Sequence, residues 1–150
     1  MAYRFMLLLA FLFVVTTSLA HGSFIINETT IAQVVIPGRA FCSINGNPVN
    51  SNTPGLAGVN VQLVCNGATT LTQVLTDSQG FFRIVLNTLD GILFDPSKCV
   101  IRIRLPIASC SVLAPTSGNL QSVITLAGVV QSVLGAVANF TSGLFVLVPN

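Results

Sequence analysis

The sequence predicts an all-β domain, a small antiparallel β-sandwich or barrel stapled by two disulfides. Three observations predict it. Between Val34 and Leu105, apolar residues recur at every second position, the spacing that puts one strand face in a core and the other in water. Clusters of Asn, Asp, Gly and Pro interrupt these segments at short intervals, as they do in sandwiches and barrels. The four cysteines form an even set in a chain that opens with a secretory signal, so they are expected to be oxidised in pairs.

Residues 1–20 read as that signal. Arg4 supplies its positive end, Phe5 to Val15 form an apolar run too short to span a bilayer, and Ser18 and Ala20 are the small residues of a cleavage site. The mature chain then starts near His21, with 21–33 a polar lead-in and 34–150 a single domain. Val34-Val35-Ile36 runs through Pro37-Gly38 towards Cys42, a first strand expected to bulge or bend at the Pro-Gly. Asn45 to Gly58 is a loop by its Asn-Gly, Asn-Pro and Pro-Gly pairs. Val59, Val61, Leu63 and Cys65 alternate with Asn60 and Gln62, and Asn66-Gly67 predicts a hairpin returning through Thr69 to Thr76. Asp77 to Gly80 is a turn. Beyond it Phe82, Ile84 and Leu86 point one way and Arg83 the other. After a loop around Asp90-Gly91 and Asp95-Pro96, Cys99, Ile101, Ile103 and Leu105 alternate with Arg102 and Arg104.

The C-terminal third is less determinate. Leu120, Val123, Ile124, Ala127, Val130, Val133, Leu134 and Val137 fit a helical period, whereas the β-branched content, Gly128 and Gly135 favour strands or irregular structure. Gln131 and Ser132 make the stretch a poor membrane span, and Leu144 to Val148 reads as an edge or closing strand.

Composition narrows function. With 52% hydrophobic residues the chain has the apolar surface to fold, and with six Lys+Arg against four Asp+Glu it lacks the dense basic face that nucleic acid requires. His21 is the only histidine, and at a chain terminus it holds no fixed place beside a nucleophile. Of the acids Glu28, Asp77, Asp90 and Asp95, the three aspartates sit in turn signatures, where backbone capping accounts for them without a paired-carboxylate mechanism. The cysteines lack C-x-x-C spacing, and Gly55 to Gly58 lacks the lysine and hydroxyl of a phosphate loop. No catalytic, cofactor or metal site is expected, and no enzyme. Asn27-Glu28-Thr29 and Asn139-Phe140-Thr141 are glycan acceptor sequences, which places Asn27 and Asn139 at the surface. Arg83, Arg102 and Arg104 form a basic patch if their strands are neighbours. Such a patch suits an anionic polymer, although a solvated face that deters edge pairing is the commoner use of such charges.

The order Gly38–Cys42, Val59–Cys65, Thr76–Phe82, Cys99–Ile103 and Pro106–Cys110 resembles the plant pollen allergen Ole e I/extensin-like family. Within that family, Phe41 to Asn47 and Leu120 to Val123 are most similar to the phylloplanin-type members. The resemblance implies a secreted, disulfide-stapled β domain with a Cys42–Cys110 bridge and, with it, Cys65–Cys99. It departs from the family pattern at Asn45, where many members carry a further cysteine, and it has no Ser-Pro-Pro runs. The function implied is extracellular defence by contact with a microbial surface or a plant cell-wall polymer. A wall structural protein binding pectin and a carrier of small apolar ligands are the alternatives. With so few charges, apolar contact is expected to outweigh electrostatic contact.

Overall fold

A computed structural model describes residues 24–88, 94–112 and 118–149. The signal segment, its cleavage boundary with His21 and the Asp90-Gly91 loop lie outside the described residues. The described residues form nine strands: β1 (Phe24–Ile26), β2 (Thr29–Arg39), β3 (Asn60–Cys65), β4 (Thr69–Leu75), β5 (Phe81–Asn87), β6 (Cys99–Leu105), β7 (Gly118–Ser132), β8 (Gly135–Ser142) and β9 (Val146–Pro149). The fold is all-β.

Local chemistry explains the turns. Asn66 and Gly67 both take positive φ, 55° and 80°, the conformation that folds β3 back on β4. Before β5, one carboxylate oxygen of Asp77 accepts from the Gln79 and Phe81 amides at 2.9 Å each, and Gly80 supplies a φ of 87°. A side chain at Gly80 would meet the Ala40 carbonyl, so this glycine also lets the turn pack against the 40–58 loop. Asp95 caps the short 3-10 turn at Pro96–Lys98, accepting from the Ser97 hydroxyl at 2.7 Å and its amide at 3.1 Å. These bonds hold the Asp95 carboxyl below its ordinary value. The stabilisation is present above the usual carboxylate range and is lost as pH falls through the lowered value.

The strands form one open, mixed sheet in which β7 belongs to two halves. Its first residues pair with β6 on one side and β9 on the other, in the order β4-β3-β6-β7-β9. Its later residues, Ile124 to Ser132, pair with β8, which continues to β2 and then to β5 and β1. All pairs are antiparallel except β2 with β8, which is parallel. Alternate residues of both halves, among them Val34, Ile36, Leu63, Ile84, Ile101 and Phe140, meet in one buried cluster.

Two expectations change. The lead-in assigned to 21–33 is partly strand: β1 and the start of β2 form a two-residue hairpin at Asn27-Glu28, and Ile31 is fully buried. The bend expected at Pro37-Gly38 is absent, because β2 stays in register with β5 from Gln33 to Arg39. β8 pairs with β2 only as far as Val35, so Pro37 lies where one edge is open and a missing N–H is tolerated. Gly38 is needed for packing, since a Cβ there would run into the Phe82 ring. The C-terminal third is strand, the alternative that its β-branched content and two glycines favour, and its helical spacing has a local cause. Ala127 is an extra residue in β7 between Leu126 and Gly128, and this bulge shifts the alternation by one.

Candidate functional site

In an antiparallel pair, directly opposed residues share a face. The registers of β4, β3, β6 and β7 align Gln73, Gln62, Arg102 and Gln121 in one row, with Val146 of β9 at its end. A second row, two residues along, places Arg104 beside Asn119. The inward neighbours Val61, Leu63, Ile101, Ile103 and Leu120 are buried, so both rows face outwards. The first row is internally bonded. Asn60 Nδ2 and Gln62 Nε2 donate to Gln73 Oε1 at 3.1 and 3.5 Å, and Arg102 Nη2 donates to Gln62 Oε1 at 3.4 Å. Arg102 Nε is shielded from solvent and has no hydrogen-bond partner among the described residues. Arg104, exposed, stands between two clefts. One, of about 370 Å³, is lined by Asn60, Gln62, Pro106 and Ser109; the other, of about 330 Å³, by Arg102, Gly118 and Asn119.

The structure does not bring the three arginines together. Arg83 is on β5, whose sheet partner is β2, and it lies opposite Pro37 rather than beside β6. Period two reveals which face a side chain takes but not which strand lies next to it. Arg39 was not singled out by sequence, yet its guanidinium lies 4.5 Å from the Phe41 ring centre and 4.6 Å from that of Phe81. Its Nε donates to the Gln79 carbonyl at 2.8 Å, which fixes the stack. Asn47 ties the 40–58 loop to the segment before β9, donating to the Phe145 carbonyl at 2.8 Å and accepting from its amide at 2.7 Å. Disulfides join Cys42 to Cys110 and Cys65 to Cys99, the latter across directly paired positions of β3 and β6. Asn27 is exposed at its hairpin tip, and Asn139 is half-buried in β8.

Residues 30–150 match the family model described as phylloplanin antifungal protein. The chain belongs to the phylloplanin family. It is 27% identical over 111 residues to phylloplanin of Nicotiana tabacum, covering 72% of this chain and 71% of the relative. It is also similar to the crystal structure of the major plantain pollen allergen Pla l 1, at 16% identity and a TM-score of 0.38, over 75% of this chain and 96% of that one. The phylloplanin match takes in β2 through β9 almost whole, so both outward rows, both clefts and all four cysteines lie within it. Among the described residues no helix is long and apolar enough to cross a membrane.

Proposed function

We propose that this member of the phylloplanin family is a secreted, non-enzymatic plant defence protein that acts by contact with fungal or wall surfaces, outside the cell. The family match supports the antifungal part of this reading. The observation that supports contact is the apolar end of the outward face. Val123 and Val146 are 63% and 62% exposed, and Leu144, at 73%, precedes β9 beside them. Five cations are described, so an apolar contact of this kind has little electrostatic competition. The interior between the sheet halves is filled by side chains such as Phe94 and Phe140, which gives the carrier reading no support.

The two acceptor asparagines fit the extracellular reading as glycan sites. Asn27 projects from a turn, and Asn139 faces Gly128, above which a Cβ would meet nothing within 4 Å.

Contact and turnover separate in one assay. Inhibition of spore germination is expected to follow the ratio of protein to spores and to release no soluble sugar or peptide from isolated walls. Product rising steadily with incubation time would contradict this reading.

A further inference from the structure

We infer that the outward face around Arg104 is a binding site for an acidic polysaccharide, a chain of uronate sugars held through its carboxylates and hydroxyls. Arg102 and Arg104 are two residues apart on β6, about 6.7 Å along the strand, and both project from the same face. Each offers a planar fork that matches a carboxylate. The polar side chains beside them on the neighbouring strands are amides: Asn60, Gln62 and Gln73 on one side, Asn119 and Gln121 on the other. An amide both donates and accepts, and so does a sugar hydroxyl. A phosphate backbone only accepts, and two cations release too few counterions to hold it. None of the described acids, Glu28, Asp77 or Asp95, lies on these strands to neutralise the pair.

Two further features suit an extended ligand. The clefts on either side share Arg104 as a common wall, so a chain of several sugars occupies both by passing over one guanidinium. Arg102, half-buried and donating to Gln62, is held in place on that path, so little side-chain freedom is lost when a ligand meets it. The site does not require the antifungal reading, and the apolar residues Val123 and Val146 lie at its margin rather than within it.

The test titrates an oligogalacturonate, and the same oligomer fully methyl-esterified, into purified mature protein while amide resonances are followed by NMR. The acid is expected to bind and to shift the signals of Asn60, Gln62, Asn119 and Gln121. The ester should bind about tenfold or more weakly, and added salt should weaken the acid. Arg102→Gln with Arg104→Gln should lose about tenfold or more, whereas Arg83→Gln should bind as the parent does. Arg104→Gln alone, at an exposed position, keeps the test valid if the double variant does not fold; melting curves check this. Equal binding of acid and ester, undiminished affinity in a folded Arg104→Gln variant, or no binding of the acid at low salt would overturn the inference. Retention of the double variant on spores is a separate readout, so failure here leaves the contact reading standing.

Discussion

Replacing Cys42 and Cys110 together by alanine is expected to destabilise the domain by about 4 kcal/mol, the loop-closure entropy returned to an unfolded chain when a crosslink of this span is removed. The bridge closes 68 residues of sequence, against 34 for Cys65–Cys99. It also does what no strand pairing does. Cys42 lies in the 40–58 loop and Cys110 beyond the end of β6, so the bond anchors a long irregular segment to the sheet. Cys65 and Cys99 are already neighbours in the β3–β6 ladder, and their loss is expected to cost less. Denaturant midpoints of the two double variants measure the difference. An unchanged midpoint without Cys42–Cys110 would show that the loop is held by its other contacts, chiefly buried Leu56 and the Asn47–Phe145 bonds.

Phe140→Ala is expected to cost about 3–5 kcal/mol, the range for removing a buried aromatic and leaving a cavity. Phe140 is 1% exposed and sits where the two halves of the sheet meet. Its ring is 5.6 Å from that of Phe94, which in turn is 5.2 Å from Phe24, both contacts edge-to-face. The loss therefore reaches β1 at the margin of the sheet. Phe140→Leu should restore most of the stability because it refills most of the volume. Thermal melts of the two variants give the comparison, and an alanine variant as stable as the leucine one would mean that the core collapses onto the site.

Much of this fold is legible from local pattern. The alternation of Phe82, Ile84 and Leu86, and of Cys99 to Leu105, appears in the structure as alternating burial along β5 and β6. Asn66-Gly67 makes its hairpin because both residues accept positive φ. Local pattern fails where an extra residue breaks the phase. Ala127 in β7 and Ala32 in β2 are such residues, and neither is marked by glycine or proline at its own position. Non-local pairing is invisible to periodicity, so the parallel contact of β2 with β8, and the placing of β6 between β3 and β7, emerge only from the tertiary fold. The candidate site divides in the same way. Arg102 and Arg104 are readable as outward residues from their own strand. Gln121 lies in the stretch whose bulge imitates a helix, and Arg83 is separated from them by topology alone.

Contact through apolar surface is the central claim, and retention of purified mature protein on fungal spores across a salt series tests it most directly. Salt screens charge pairs, with a Debye length of about 8 Å at physiological strength, but does not weaken apolar burial. The expected result is protein that stays bound at high salt, leaves with a non-ionic detergent, blocks germination while bound, and is retained equally well when Arg102 and Arg104 are replaced by glutamine. Full release by moderate salt, or normal germination of fully coated spores, would contradict it.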